Sequence, residues 1–314
     1  MEIIKDVHKM AKDNYKITDI RSVAITIATY ARPDQLKKLL DSIFLMEHPD
    51  IKFSVIVVDN DPKGTAKEIC ECCEPKIIYT VETVPGISAA RNRGLKHSEG
   101  FDAVVFVDDD ELVSPQWLRS LVTMANQTGA SVVAGPVISE LPINAPKWAR
   151  RIDWFSRPKY PSGSSIKWPA TNNSLVRYSA LNMLNKKYFD QGFSLTGGED
   201  AELFWRLRKK GVKVVWSEEA VVTETVPMAR ITPQWIWRRG IRLGNVSGRL
   251  HLREKASVTV FLIGIARIVV GIICIPLLFF GRGPKAAVLL MHLPKGIGTV
   301  QSIFGKYLLE YARK

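Results

Sequence analysis

The feature that most constrains this chain is an apolar segment that leads directly into four acidic residues. Residues 104–107 read Val-Val-Phe-Val, and residues 108–111 read Asp-Asp-Asp-Glu. A short, uninterrupted apolar run is typical of a buried strand in a parallel sheet. The carboxylates would then lie at the carboxyl end of that strand, where open α/β sheets bind their ligands. The sequence therefore predicts a ligand site at this edge of a sheet.

Two of these acids are suited to hold a divalent cation. Asp108 and Asp110 are two residues apart, so both point to the same side of an extended segment. Neighbouring carboxylates each disfavour the ionisation of the other, and a bound cation removes that cost. Mg²⁺ and Mn²⁺ suit a pair of carboxylates combined with substrate phosphates. A solvated acidic turn is the simpler alternative, and the motif alone leaves both interpretations open.

Further apolar segments alternate with helical ones and predict a doubly wound α/β sheet. Residues 214–216 and 220–224 are expected to form a closing pair of strands. The other strands are expected at residues 23–28, 53–58, 77–80 and 131–137. The ligand edge of this sheet is expected to carry Thr29, Asp59, Arg91 and Asp108 together.

The stretch from residue 142 to residue 169 is rich in proline and aromatic residues and is too long for a simple connection. A flexible ligand-binding or lid loop is one interpretation, and plain packing of the aromatic side chains is the other. Asn172 and Asn173 follow this stretch. Their amides can donate to and accept from the hydroxyls of a ligand, but they can equally close a turn.

Residues 197–200 read Gly-Gly-Glu-Asp and precede a helical pattern formed by Leu203, Phe204 and Leu207. Glu199 and Asp200 at a helix start would complement the helix dipole, so capping can explain them without a ligand. The glycines, however, allow a ligand to approach the backbone closely. The acidic cluster at residues 108–111 favours the ligand interpretation, because it supplies a context for further carboxylates.

The C-terminal part of the chain carries nearly all of the net charge. Residues 228–314 hold 14 Lys and Arg against 2 Asp and Glu, whereas residues 1–227 hold 30 against 29. A basic segment favours an anionic partner, either nucleic acid or a membrane surface. This segment is also strongly apolar, which favours an anionic membrane surface and argues against nucleic acid.

Two apolar segments in this tail fit a membrane. Residues 258–280 are apolar apart from Arg267, and a second, weaker segment covers residues 286–304. About 20 apolar residues span a bilayer, but an arginine near the middle costs about 2.5 kcal/mol or more on insertion. The two segments can form a membrane hairpin, lie flat in the interface, or pack as soluble helices. Flanking Lys and Arg residues favour the cytoplasmic side of the membrane.

Five short motifs, in this order, resemble the inverting enzymes of glycosyltransferase family 2, which have the GT-A fold. They are residues 29–33 (Thr-Tyr-Ala-Arg-Pro), 57–60 (Val-Val-Asp-Asn), 86–94 (Gly-Ile-Ser-Ala-Ala-Arg-Asn-Arg-Gly), 106–110 and 197–200. The resemblance runs from about residue 23 to about residue 222. Residues 171–175 and the tail are similar, more narrowly, to bacterial polysaccharide glycosyltransferases of the succinoglycan-assembly kind.

The resemblance implies a role for each motif. Asp59 would accept a hydrogen bond from a uracil N–H, although a turn or helix cap also explains it. Asp110 would be the direct ligand of Mg²⁺ or Mn²⁺, and Asp200 would be the catalytic base. The residues implied to bind the nucleotide and donor are Thr29, Tyr30, Arg32, Asp59, Arg91, Asp108 and Asp109. Those implied to contact the acceptor or the donor sugar are Asn172, Asn173, Gly198, Glu199, Arg238 and Arg239.

The chain is therefore expected to be an α/β protein of the GT-A fold, Rossmann-like with a mostly parallel central sheet, followed by a membrane-associated helical segment. Residues 1–20 would form an N-terminal arm and residues 21–115 the half that binds the nucleotide sugar. Residues 116–227 would form the acceptor half, and residues 228–314 the basic, apolar tail. The tail would hold the enzyme at the cytoplasmic face of the cell inner membrane.

The function implied is a metal-dependent inverting glycosyltransferase. It would move a sugar from a nucleotide donor, by family habit a UDP-sugar, to a lipid-linked or glycan acceptor in the synthesis of cell-surface polysaccharide. A sugar-phosphate nucleotidyltransferase is one alternative, but it needs a glycine-rich phosphate loop after the first strand, and residues 28–32 contain no glycine. A non-catalytic membrane-bound scaffold that keeps the fold is the other alternative.

Overall fold

The computed structural model describes residues 18–47, 51–152, 154–275 and 289–311. Nearly all of the predicted N-terminal arm, and parts of the two apolar tail segments, lie outside these described residues. The strands are β1 (Ser22–Thr29), β2 (Lys52–Asp59), β3 (Ile78–Val81), β4 (Ala103–Asp108), β5 (Glu111–Val113), β6 (Val132–Ala134), β7 (Val137–Glu140), β8 (Asn173–Arg177), β9 (Val214–Trp216) and β10 (Val222–Thr225).

Seven of these strands form one central sheet in the order β3-β2-β1-β4-β8-β6-β9. Strand β1 pairs in parallel with β2 and β4, and β2 with β3. Strand β8 runs antiparallel to both of its neighbours, β4 and β6, while β9 returns to a parallel pairing with β6. The prediction of a mostly parallel α/β sheet is confirmed. The buried apolar runs in β1, β2 and β4 explain why these strands occupy its centre.

Helices cover both faces of this sheet. Those in the described residues are α1 (Pro33–Phe44), α2 (Lys67–Glu71), α3 (Ile87–His97), α4 (Trp117–Thr128), α5 (Lys147–Arg151), α6 (Tyr178–Asn182), α7 (Glu199–Lys209), α8 (Pro233–Leu252), α9 (Ser257–Ile273) and α10 (His292–Ile303). Alternate residues of the central strands point to opposite faces. Ile25 and Val105 join one core with helices α1 and α4, and Ala24 and Val104 join a second core with α3 and α7.

Two strand predictions were wrong in detail. Residues 131–137 are not one strand but two, β6 in the central sheet and β7 in a small second sheet of order β5-β10-β7. The chain changes sheets at Gly135, where a Cβ would collide with the carbonyl oxygen of Ala220, and at Pro136, which has no N–H for a ladder. Strands β9 and β10 do not pair with each other, since β10 pairs with β5 and β7 instead.

The C-terminal helices α8, α9 and α10 pack on one another through glycines. Gly240, Gly244 and Gly248 recur every fourth residue on α8, and a Cβ on Gly244 would collide with the carbonyl oxygen of Lys295 in α10. Small residues at this spacing let helix backbones approach closely. Arg267 of α9 turns inward rather than outward. Its Nη1 donates to the hydroxyls of Ser247 at 3.2 Å and Thr299 at 3.0 Å.

Across the parts of the chain that the structure describes, we find no helix that combines the length and the apolar character needed to cross a membrane.

Candidate active site

The carboxyl ends of the central strands bring the predicted site residues to one edge of the sheet. In the parallel register, Thr29 at the end of β1 lies opposite Asp59 of β2, and Ala28 lies opposite Asp108 of β4. The acids that follow β4 therefore lie directly beside the turn that follows β1. The expected gathering of strand ends at this edge is confirmed.

The turn after β1 is tied to the acidic cluster by Arg32. Its Nη1 donates to Oδ1 of Asp109 at 3.1 Å and to Oδ2 of Asp110 at 3.2 Å. Asp109 is buried and also accepts a hydrogen bond of 2.8 Å from the hydroxyl of Thr29. Thr29 and Arg32 thus hold the acids in place from within the protein. Tyr30, between them, is exposed at this edge.

Burial and mutual repulsion raise the pKa values of the acids in this cluster. Burial raises the pKa of Asp109 to about 6, against the opposing effect of Arg32. The pKa of Asp110 is raised by burial and by the charge of Asp108. Burial also raises the pKa of Glu111, which accepts hydrogen bonds from the backbone N–H of Asp108 at 2.9 Å and from Asn172 Nδ2 at 3.0 Å. A cation placed against this cluster would relieve the repulsion.

The donor atoms present fit a hard divalent cation with few protein ligands. Among the described residues, no group of three or more His, Cys, Asp and Glu side chains is arranged to hold a metal ion. Asp108 and Asp110 nevertheless offer carboxylate oxygens, and the side chain of Asp108 is 41% exposed. Mg²⁺ usually keeps several waters and is bound by one or two carboxylates together with substrate phosphates. Asp108 and Asp110 match that requirement.

Arg91 links the acidic cluster to the second carboxylate motif. It is buried on α3, and its Nη2 donates to Oδ1 of Asp108 at 2.9 Å. Its Nη1 forms an ion pair with Oε1 of Glu199 at the start of α7. The sequence-based expectation for Arg91 was contact with the nucleotide. In this structure its guanidinium is instead engaged by two carboxylates, which joins β4 to α7.

The start of α7 depends on two glycines with left-handed backbones. Gly197 and Gly198 have φ of +75° and +91°, a region that other residues rarely adopt. A Cβ on Gly198 would also collide with the side chain of Val246 in α8. This turn sets Glu199 and Asp200 in the first helical turn, where the helix dipole stabilises negative charge.

The two acids of α7 have different surroundings. Glu199 is buried, and its Oε2 has no hydrogen-bond partner within the described parts of the chain. Burial raises its pKa to about 7, although Arg91 opposes this shift. Asp200 is half-buried, and its Oδ1 accepts a hydrogen bond of 2.7 Å from the N–H of Ala201. Asp200 forms no ion pair with any of the described residues. Its carboxylate can therefore accept a proton from a bound substrate.

The polar side-chain atoms of three predicted binding residues form hydrogen bonds within the protein. Asp59 is fully buried and accepts hydrogen bonds from the N–H groups of Asp61 and Ala66 and from the hydroxyl of Tyr79. This matches its alternative interpretation as a turn and cap residue rather than an open contact for uracil. Asn172 donates to Glu111, as described above.

Asn173 is the third of these residues, and it is structural in this conformation. Its Oδ1 accepts a hydrogen bond of 2.8 Å from Trp117 Nε1, and its Nδ2 donates to the carbonyl oxygens of Pro136 and Ala220. The amide therefore ties the two sheets together where the chain leaves β6. Of the two predicted arginines on α8, Arg238 is exposed, whereas Arg239 is half-buried and lies over the ring of Trp235.

Tyr311, which no sequence motif indicates, is brought to this site by the structure. Its N–H, like that of Glu310, donates to the carbonyl oxygen of Leu195, just before the glycine turn. Its ring carbon Cε2 lies 3.4 Å from where a Cβ on Gly197 would be. Tyr311 is 41% exposed, and the protein around its hydroxyl and the charge of Glu199 raise its pKa. A single tyrosine far along the chain belongs to no motif, so only the folded structure identifies it.

Comparison with known proteins gives sequence relatives for most of the chain. Residues 24–193 match the model of the family described as Glycosyl transferase family 2. The chain is similar to the succinoglycan biosynthesis protein ExoM of Rhizobium meliloti (strain 1021), with 36% identity over 239 residues that cover 74% of this chain and 76% of that protein. Glycosyltransferase AglE of Haloferax volcanii is 26% identical over 242 residues, which cover 68% of this chain and 79% of that protein.

Solved structures share the fold at low sequence identity. A crystal structure of residues 1–349 of S. aureus TarS gives a TM-score of 0.54 at 16% identity, covering 91% of this chain and 92% of that chain. GalNAc-T7, crystallised with UDP, GalNAc and Mn²⁺, gives a TM-score of 0.54 at 11% identity and covers 71% of this chain. This chain spans about half of that structure, 51% of its length.

Proposed function

The chain belongs to glycosyltransferase family 2, and from that premise we propose that it moves a sugar from a UDP-sugar to a lipid-linked or glycan acceptor in polysaccharide synthesis. The observation that carries this proposal is the bridge made by Arg91. It joins Asp108, at the end of β4, to Glu199, next to Asp200 on α7. The carboxylates suited to a cation that binds the donor diphosphate and the carboxylate suited to an acceptor hydroxyl therefore share one edge of the sheet.

In the proposed reaction Asp200 is the catalytic base. Its carboxylate takes the proton from an acceptor hydroxyl while the hydroxyl oxygen attacks the anomeric carbon of the donor. The new glycosidic bond forms as the bond to the nucleoside diphosphate breaks, so the diphosphate departs with the electron pair and the configuration inverts. General-base catalysis of this kind contributes typically about 10²–10⁴-fold in rate. The half-buried position of Asp200 and its freedom from ion pairs with the described residues support this role.

Asp108 and Asp110 would hold Mg²⁺ or Mn²⁺ at this edge, with Asp110 as the direct ligand. A divalent cation bound there supplies positive charge to the departing diphosphate. Arg32 lies against Asp110, and its guanidinium is a group that binds phosphate well. The Mn²⁺ and UDP in the crystal structure of GalNAc-T7 belong to that protein, but they are consistent with the same donor chemistry here.

We further propose that the tail lies on the cytoplasmic face of the cell inner membrane. Helix α9 has a continuous apolar face open to solvent, formed by Val258, Phe261, Leu262, Ile265, Val269, Ile272 and Ile273. These residues recur at helical spacing, and the basic charge of residues 228–314 suits anionic lipid. The inward turn of Arg267 removes the obstacle that its charge would pose to contact with lipid. An interfacial helix is therefore the form we favour.

Nucleotide binding tests the donor proposal without knowledge of the acceptor. The detergent-purified full chain would be heated with UDP, GDP and their sugar conjugates, with and without Mn²⁺, because a ligand that binds only the folded state raises its melting temperature. We expect stabilisation by UDP ligands that requires Mn²⁺ and is lost in Asp110→Ala. Stabilisation that is independent of Mn²⁺, or that persists unchanged in Asp110→Ala, would remove Asp110 from the donor site.

A further inference from the structure

A second cluster of charged side chains lies next to the carboxylate edge, and the reaction proposed above gives it no role. It surrounds a small cleft between the small sheet and the start of α8 that opens into solvent. Arg157, Arg230 and Arg239 line it, together with Glu224, Ser139 and Trp235. We call these three arginines and the space between them the arginine pocket.

Positive charge exceeds negative charge in this pocket. Glu224 is the acid among the lining residues, and it is already engaged by Arg157 Nη2 at 2.7 Å and by the hydroxyl of Ser139 at 2.5 Å. Arg239 has no carboxylate within 4.0 Å in the described part of the chain; its guanidinium lies 5.1 Å from the centre of the Trp235 ring. Burial, together with the charges of neighbouring arginines, lowers the pKa of Arg239 to about 10. The protein thus holds a crowded set of cations that an anion would stabilise.

The pocket opens next to the carboxylate edge. Arg230 Nη2 lies 3.9 Å from Oδ2 of Asp110, the predicted cation ligand. A phosphate chain in contact with a cation on Asp110 could therefore reach Arg230. Guanidinium groups donate two parallel hydrogen bonds to phosphate, so three arginines around one space suit a phosphate better than a neutral sugar.

We propose that the arginine pocket binds a diphosphate group through Arg157, Arg230 and Arg239. The proposal rests on the proposed function, since such a group can belong to the nucleotide donor or to a lipid diphosphate that carries the acceptor. Both ligands present the same chemistry to the arginines. The fixed position of the pocket beside Asp110 would hold either diphosphate close to the reacting sugar.

The direct test is calorimetric titration of the full chain in detergent with inorganic pyrophosphate, in the presence of EDTA so that no divalent cation takes part. We expect Arg239→Gln and Arg230→Gln each to weaken pyrophosphate binding by about tenfold or more, because each removes a charged hydrogen-bond donor. Lys159→Gln is the matched control, since it removes one positive charge from an exposed position two residues from Arg157. It should change binding by less than about twofold.

Two further titrations distinguish the source of the diphosphate. If Arg239→Gln weakens binding of UDP in Mn²⁺ but leaves uridine unchanged, the pocket serves the donor. If it weakens farnesyl diphosphate and spares UDP, the pocket serves a lipid-linked acceptor. Melting temperatures without ligand identify a variant that is misfolded, and the other arginine variant then supplies the second measurement.

The proposal is overturned if the wild-type chain does not bind pyrophosphate, or if both arginine variants bind it as tightly as Lys159→Gln does. If the chain still bound UDP in a metal-dependent way, the donor site proposed at Asp110 would be unaffected by that result. Pyrophosphate binding without any response to UDP would instead keep the pocket and refute the donor assignment. The two failures are thus separable.

Discussion

Replacing Arg91 with glutamine removes the guanidinium that joins Asp108 to Glu199, and it tests how this edge is held together. The two carboxylates would respond differently. The side chain of Asp108 is 41% exposed, so water can replace its partner at little cost. That of Glu199 is only 3% exposed, and without Arg91 it must either stay charged in a buried position or take up a proton, which its raised pKa favours.

The cost follows from this difference in burial. Removing one partner of a buried ion pair typically destabilises a protein by about 3–5 kcal/mol. We expect Arg91→Gln to lower the free energy of unfolding by up to about that amount, with nearly all of the loss due to Glu199. The loss should be larger at pH 8 than at pH 6, because protonation of Glu199 removes the uncompensated charge. Arg93→Gln, on the same helix, loses a single 3.3 Å hydrogen bond from Nε to the hydroxyl of Thr80. It should change stability by about 0.5 kcal/mol.

Urea unfolding followed by tryptophan fluorescence gives both free energies under the same conditions. Adding Glu199→Gln to Arg91→Gln should recover part of the loss, because a neutral amide costs less to bury than an unpaired carboxylate. The reasoning would be refuted if Arg91→Gln cost no more than Arg93→Gln, or if the double variant were less stable than Arg91→Gln alone.

Three further predictions address other parts of the site. The pKa of Asp109, about 6, lies above its ordinary value of 3.8. The protonated Asp109 side chain therefore contributes fully to stability below about pH 4, and this contribution, up to about 3 kcal/mol, is lost as the pH rises through 6. Asp109→Asn should flatten this decline in unfolding curves recorded between those pH values. Gly198→Ala places a Cβ on a left-handed backbone and against the side chain of Val246, and it should lower the free energy of unfolding by about 1–3 kcal/mol. Gly211 is exposed, also has a left-handed backbone, and a Cβ there would meet nothing within 4 Å. Gly211→Ala should therefore show the cost of the backbone conformation alone. Tyr311→Ala should raise the KM for donor or acceptor at unchanged melting temperature, and equal KM values in wild type and variant would place Tyr311 outside the binding site.

The sequence predicted the centre of the fold well, because its evidence there is local. The apolar run at residues 104–107 and the acids that follow it determine both a buried strand and the edge at which ligands bind. Parallel strands end at a common edge, so the neighbourhood of Thr29 and Asp108 follows from the order of elements. The identity of the family followed from the same short motifs.

What the sequence could not provide depends on contacts between distant segments. Asp59 has the residue type of a nucleotide contact, but Tyr79 and the N–H of Ala66 enclose it. Residues 131–137 look like one strand because a change of sheet at Gly135 leaves no periodic signal. Arg267 looked costly for a membrane-associated helix until its partners on α8 and α10 were known.

The arginine pocket illustrates the same limit for the site itself. Arg157, Arg230 and Arg239 come from a loop, a short turn after β10 and a helix, so no spacing along the chain connects them. The predictions for Arg238 and Arg239 treated two neighbours alike, whereas the rotation of α8 exposes the first and directs only the second to the pocket.

The measurement that tests the central claim most directly is sugar transfer by the wild-type chain and by Asp200→Asn, with the anomeric configuration of the product determined by NMR. An α-linked UDP-sugar should give a β-linked product, and Asp200→Asn should lower kcat by about 10²–10⁴-fold while its affinity for UDP in Mn²⁺ is unchanged. A product that retains the α configuration, or an Asp200→Asn variant that turns over at the wild-type rate, would contradict the assignment of Asp200 as the base of an inverting transfer.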